Sequence, residues 1–203
     1  MKIWKYYIIA ILVILIDQGV KLFTHFNMEL GPVGEIQLIG DIFKLHYTLN
    51  PGMAFGIILD FEYGKLALSL FRVIAVIGIG FYIKYLYNSK APEGLIVCIG
   101  MILGGAVGNV LDSIFYGVAF NNAPYDAPTP WFHGQVIDMF YLDLYEGFLP
   151  EWLGGGWISL WPIFNIADAA IFTAVAILLI FQRKFFDKEE EKANSNNTQE
   201  TIS

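Results

Sequence analysis

The sequence predicts an α-helical membrane protein with four spans and a small β-sheet lying on one membrane face. Three observations carry this. Hydrophobic residues make up 56% of the 203-residue chain and charged residues only 15%, against about a quarter charged in a soluble domain. The apolar residues fall into blocks, each close to the ~20 residues that cross ~30 Å of hydrocarbon. Between the blocks lie polar, aromatic or β-branched segments that cannot be spans.

The first block covers residues 6–23 and carries Asp17, Gln18 and Lys21 within it. A cleaved secretory leader has a shorter apolar core, no buried acid and base, and a small-residue cleavage site, so this block is expected to remain as a helix. The second covers 66–83 and contains Arg72. The third, 94–111, holds no charge. The fourth, 160–181, carries Asn165 and Asp168. Orientation follows from the lysines and arginines. Lys2, Lys5, Lys84, Lys90, Arg183, Lys184, Lys188 and Lys192 flank one set of span ends, whereas Lys44 and Lys65 belong to the other side, with Lys21 and Arg72 near span ends. Both termini are therefore expected in the cytoplasm, with outer segments at 24–63 and 113–159. Residues 1–186 read as a single domain. The stretch 187–203, polar, charged and rich in Asn, Thr and Ser, reads as a disordered cytoplasmic tail.

In the first outer segment, Ile36–Ile39 and Ile42–Tyr47 alternate or are β-branched and are bounded by Gly and Pro, as short strands are. The second holds three of the five tryptophans, Trp131, Trp152 and Trp157, suited to the headgroup level. Net charge is −7, which argues against a nucleic-acid partner. The single cysteine, Cys98, excludes an internal disulfide and reads as packing.

Ionisable groups inside a bilayer are costly, at least ~2.5–3.5 kcal/mol each on insertion scales, and so are functional candidates. Asp17 and Lys21 share a helix face. Asn109 and Asp112, and likewise Asn165 and Asp168, repeat an Asn-x-x-Asp spacing on two helices. Asp138 sits in an apolar stretch of the second outer segment. Taken singly, each has a plain reading. Asp17 and Lys21 fit a structural pair, Asn109 and Asn165 fit bonds between helices, Asp112 fits a loop cap, and Asp138 fits a solvated acid. Asp168 is hardest to dismiss, lying in an apolar helix with no adjacent cation. Gly104, Gly105 and Gly108 permit close helix approach. Asn50-Pro51-Gly52 is a turn by composition.

In order along the chain, Asp17-Gln18-x-x-Lys21, Asn50-x-Gly52-x-Ala54-Phe55, Gly104-Gly105-Ala106-x-Gly108-Asn109-x-x-Asp112, Val136-x-Asp138 and Phe164-Asn165-x-Ala167-Asp168 resemble the motifs of the lipoprotein signal peptidase (signal peptidase II) family, over roughly residues 10–180. The resemblance implies an intramembrane aspartyl endopeptidase that cuts diacylglyceryl-modified prolipoproteins just before the lipidated cysteine. It implies Asp138 and Asp168 as the catalytic pair. Asp17, Lys21, Asn50, Gly52, Gly105, Asn109, Asp112, Asn165 and Ala167 are implied as substrate-binding or supporting residues. The implied fold is four transmembrane helices with an extracytoplasmic β-sheet cradle, a short helix and lid loops. A prolipoprotein substrate, membrane lipids, globomycin-type inhibitors, a bacterial inner-membrane location and a monomer are expected, with no metal or cofactor.

The chain departs from the family pattern in three ways. Ser113 follows Asp112 where arginine is usual, so a local cation must come from elsewhere, with Lys21 and Arg72 as candidates. Pro51 follows Asn50 where threonine is usual. The stretches 112–138 and 138–168 are long, suggesting an enlarged outer lid. Of other chemistries, His-Glu-x-x-His and Gly-x-Ser-x-Gly are missing, and His25, His46 and His133 are scattered. A small proton or ion carrier would also use intramembrane acids, but its acids would line a path through the full thickness. A non-enzymatic assembly partner gives no reason for two Asn-x-x-Asp pairs.

Overall fold

A computed structural model of the chain describes residues 2–51, 63–144, 146–148, 150–153, 155–159 and 162–185. Gly52, Ala54 and Phe55, and the tail 187–203, lie outside the described residues. Among the described residues, four principal helices carry a three-stranded sheet at one end. Helix α1 spans Trp4–Asn27, α2 Gly64–Asn88, α3 Glu93–Leu111 and α4 Ile166–Ile180. The first three are long and apolar enough to cross a membrane. At 15 residues, α4 is only ~22 Å long. The expected fourth span at 160–181 is thus corrected at its start: the helix begins at Ile166, because Asn165 is extended and caps it. A turn at Phe181 leads into further helix at 182–185, joined by a Phe185 N–H bond to the Phe181 carbonyl.

The third helix also overruns its expected end at 111. It continues through a wide π-turn, Asp112–Tyr116, and a last turn, Gly117–Ala119. Residues from 113 on were expected in the outer segment, but the helical backbone runs on through them, with the Ser113 hydroxyl folded back onto the Asn109 carbonyl.

Polarity along α1 is reversed relative to a soluble helix. Ile8, Ile11, Leu12, Leu15 and Ile16 are exposed, whereas Tyr6, Ala10, Asp17, Lys21 and Thr24 are buried. Their spacing of three, four or seven places them on one face. An apolar exterior around a polar interior suits lipid. Toward the start of α1, Tyr6 and Ala10 join Ile83 and Leu86 of α2, Leu95, Ile96 and Leu103 of α3, and Phe185 in an apolar core. Small residues set the spacing: a Cβ on Gly104 would meet the Ala10 carbonyl at 2.7 Å.

The sheet consists of β1 (Ile36–Ile39), β2 (Phe43–Asn50) and β3 (Val136–Leu142), antiparallel in the order β1-β2-β3. Both strands expected in the first outer segment are present, the second running on to Asn50. Strand β3 is buried on both sides. Ile137 and Met139 pack on Tyr47 and Tyr116 in a second core. This is why β3 shows no apolar–polar alternation in the sequence. Further on, β4 (Glu146–Phe148) and β5 (Trp157–Ser159) form a separate two-stranded sheet.

Candidate active site

Backbone register places Asp138. Thr48 pairs with Asp138 and Asn50 with Val136, so Asn50 and Asp138 are diagonal neighbours on one face of the sheet. The register shifts by one residue between Leu45 and Thr48. Side chains alternate every residue, so this bulge decides which face the Asn50 end presents. The Asn50 Nδ2 then donates to Asp138 Oδ2 at 2.9 Å.

A second backbone contact places Asp168. Phe140 and Phe164 bridge through paired bonds of 2.8 and 3.0 Å, which fixes the chain just before Asn165. Asn165 is the N-cap of α4 in a capping box: its Oδ1 accepts from the Asp168 N–H at 2.9 Å, and Asp168 Oδ2 accepts from the Asn165 N–H at 3.4 Å. The same Asn165 donates through Nδ2 to Asp138 Oδ1 at 2.6 Å and to Asn109 Oδ1 at 3.1 Å. Asn109 in turn donates to Asp168 Oδ1 at 2.8 Å. Two carboxylates, one from a strand and one from a helix N-terminus, are thereby joined through two amides.

Their surroundings differ. Asp138 is 1% exposed, while Asp168 is half-buried. Burial first, and then the charge of Asp168, push the Asp138 carboxyl up to about 7, against the pull of its Asn50 and Asn165 bonds.

Beneath the pair lies a charged layer. Lys21 Nζ is 2.8 Å from both Asp17 Oδ2 and Asp112 Oδ2, and 2.9 Å from Asn109 Oδ1. Asp17 Oδ1 accepts from the Ala167 N–H at 2.9 Å, tying α1 to α4. Asp112 Oδ2 also accepts from the Ile137 N–H at 3.4 Å. Asp17, Lys21 and Asp112 are fully buried. Gly105 and Gly108 make room for this layer. A Cβ on Gly105 would collide with the Ala167 carbonyl oxygen, and one on Gly108 with the Asp17 carboxylate.

Of the residues singled out in the sequence, Asp17, Lys21, Asn50, Gly105, Asn109, Asp112, Asp138, Asn165, Ala167 and Asp168 come together here, and Gly52 lies outside the described residues. Three others belong to the same network. Gln18 donates to Asp112 Oδ1 at 2.8 Å and accepts from the Tyr116 hydroxyl at 2.9 Å. Gln18 was visible as a third polar residue inside an apolar run, whereas nothing marked Tyr116. Arg72, of α2, brings Nη1 to 3.4 Å from the Ser113 Oγ.

A helical membrane-type fold with paired, unequal carboxylates beside a sheet defines the class: an enzyme-like acid site in a membrane-type protein. The comparisons with known proteins are specific. The family model described as "Signal peptidase (SPase) II" matches residues 9–184. A lipoprotein signal peptidase of Amoebophilus asiaticus is 46% identical, over 94% of this chain and 83% of its own length. One from Porphyromonas gingivalis is 35% identical, over 85% and 80% respectively. Two solved bacterial membrane enzymes, 21% and 23% identical, share the fold at a TM-score of 0.58 over 87–89% of this chain and 89–90% of theirs. The chain belongs to the signal peptidase II family, which are aspartic peptidases, and it is a bacterial membrane protein.

Proposed function

We propose that this protein removes signal peptides from diacylglyceryl-modified prolipoproteins, cleaving just before the lipidated cysteine, with Asp138 and Asp168 as the catalytic pair. The observation that carries the assignment is the linkage of Asp138 and Asp168 through Asn165, with Asp138 buried and Asp168 half-buried. Two coupled carboxylates hold one proton between them near neutral pH. Asp138, raised to about 7, is the member that keeps it.

The reaction then runs as acid–base catalysis. Asp168 takes a proton from a water between the two acids. That water attacks the scissile carbonyl carbon while Asp138 donates its proton to the carbonyl oxygen, giving a tetrahedral diol. Asp168 passes its proton to the cysteine nitrogen, the C–N bond breaks, and Asp138 recovers a proton from the diol as the new carboxyl forms. Asn50, Asn109 and Asn165 hold both acids in register throughout.

Location follows from the charge distribution. Both termini face the cytoplasm, the chain sits in the inner membrane as a monomer, and the acid pair lies at the outer face. Four helices span, with α4 and the helix at 182–185 together supplying the fourth crossing. Exposed apolar side chains such as Ile11, Leu15 and Phe23 meet lipid. The substrate's apolar signal helix lies among the spans while its acyl chains stay in the outer leaflet. Globomycin-type compounds inhibit it.

The test is cleavage of a diacylated prolipoprotein by the purified full chain beside Asp138→Asn and Asp168→Asn. Both folded variants are expected to be inactive, and full activity in either refutes the pair. If Asp112→Asn were inactive and Asp138→Asn active, the pair would be Asp112 and Asp168.

A further inference from the structure

Helix α2 supplies no carboxylate to the site, yet it directs a guanidinium toward it. Arg72 lies eight residues into α2, ~12 Å from its N-terminal end, in the apolar run Leu70-Phe71-Arg72-Val73-Ile74. Phe71 and Ile74 are exposed, whereas Arg72 is half-buried. Its Nη1 is 3.4 Å from the Ser113 Oγ, and Ser113 donates to the Asn109 carbonyl at 3.0 Å. Asn109 is the residue whose amide holds Asp168. Asp168, Asp112 and Asp138 are the carboxylates whose charges bear on Arg72.

The balance of charge makes this consequential. Asp17 and Asp112 are neutralised in part by Lys21, at 2.8 Å from each. Asp138 and Asp168 are held by the neutral amides of Asn50, Asn109 and Asn165. Among the described residues, charged groups around Arg72 include Lys65 on its own helix, whose Nζ bonds the Pro51 carbonyl, Asp112 on the π-turn, Asp138 on β3 and Asp168 on α4. Among the described residues, four carboxylates thus share the site with Lys21 and Arg72, and with Lys65 at its edge. A guanidinium stays protonated at any working pH, unlike an amine in such a place. Ser113, the side chain that Arg72 approaches, is fully buried.

We propose that Arg72 is a positioning residue for the Asp138–Asp168 pair, reaching it from α2 past Ser113, and that its charge sets the pH range over which the pair carries a single proton. This rests on the catalytic pair proposed above. A nearby positive charge favours ionised carboxylates. Removing it makes both proton losses of the pair harder, so both limbs of the pH–rate profile move to higher pH.

The experiment is the pH–rate profile for cleavage of a diacylglyceryl-cysteine lipopeptide by the full chain in detergent micelles. Arg72→Gln is expected to move both limbs up by about one pH unit. Arg72→Lys, which keeps the charge, leaves them near wild type. The double variant Arg72→Gln/Ser113→Arg, which moves the cation to the neighbouring helix, returns them. Unmoved limbs in folded Arg72→Gln overturn the inference even if turnover falls, since loss of packing lowers rate without moving limbs. Should Arg72→Gln fail to fold, Arg72→Met decides: limbs displaced to higher pH support the proposal, and unmoved limbs overturn it. Asp138→Asn and Asp168→Asn are assayed alongside. Activity in them removes the catalytic pair, whereas their inactivity with unmoved Arg72→Gln limbs removes only the role of Arg72.

Discussion

Lys21 is the cation on which the charged layer depends, and replacing it with methionine isolates that dependence. The side chain is fully buried, and its Nζ bonds Asp17 and Asp112 at 2.8 Å each and Asn109 at 2.9 Å. Methionine fills similar volume, so cavity formation contributes little. What remains is two buried carboxylates without their shared cation. Asp17 retains the Ala167 N–H and Gln18, and Asp112 retains Gln18 and the long bond from Ile137. Breaking a buried ion pair on one side costs about 3–5 kcal/mol, because the partner charge stays uncompensated. Lys21→Met should therefore destabilise the protein by about that amount in denaturant-titrated unfolding in micelles. Adding Asp112→Asn removes one of the stranded charges, and the double variant should be more stable than the sum of the single effects by about 2 kcal/mol. A Lys21→Met protein within about 1 kcal/mol of wild type, or strict additivity in the double variant, would refute the reasoning.

Three further outcomes are expected. Cleavage activity should fall as pH rises through about 7, because Asp138 then loses the proton it donates; the sign follows from an acid raised above its ordinary range, which is protonated below that point and ionised above it. Gly105→Ala should be worse than Gly19→Ala in both stability and activity, by roughly 1–3 kcal/mol in thermal or denaturant unfolding, since a Cβ at 105 meets the Ala167 backbone and one at 19 meets nothing within 4 Å. Asn165→Ala should cost about 1 kcal/mol of stability through the lost cap but reduce turnover far more than that, measured as kcat on the lipopeptide, because the same amide spans both acids.

Local pattern was enough for several elements. Apolar run length marked the first three helices, and β-branched alternation marked β1 and the start of β2. Intramembrane polar residues pointed to most of the site before any contact was known, because a charge in hydrocarbon needs a reason to be there. The ends of α3 and α4 were misjudged for a shared cause. Hydropathy reports where apolar residues stop, whereas a helix stops where its backbone bonds do. The helical backbone of α3 runs on through the π-turn Asp112–Tyr116, past the end of its apolar run. Asn165 caps α4 and starts it later than the apolar block. Strand β3 escaped notice because burial on both faces erases the two-residue alternation.

The sequence alone determined that this chain lives in a membrane, and the composition of its polar interior: acids, amides, one lysine and one arginine among apolar residues. Only the tertiary structure decided which of these groups meet. The pairing of Asn50 with Asp138 depends on a one-residue bulge between Leu45 and Thr48. That of Asp138 with Asn165 depends on the Phe140–Phe164 bridge, and that of Lys21 with Asp112 on glycines that let α1, α3 and α4 close together. Those contacts join residues 27 to 91 positions apart. Their geometry is set by register and interhelical distance, which no local spacing encodes.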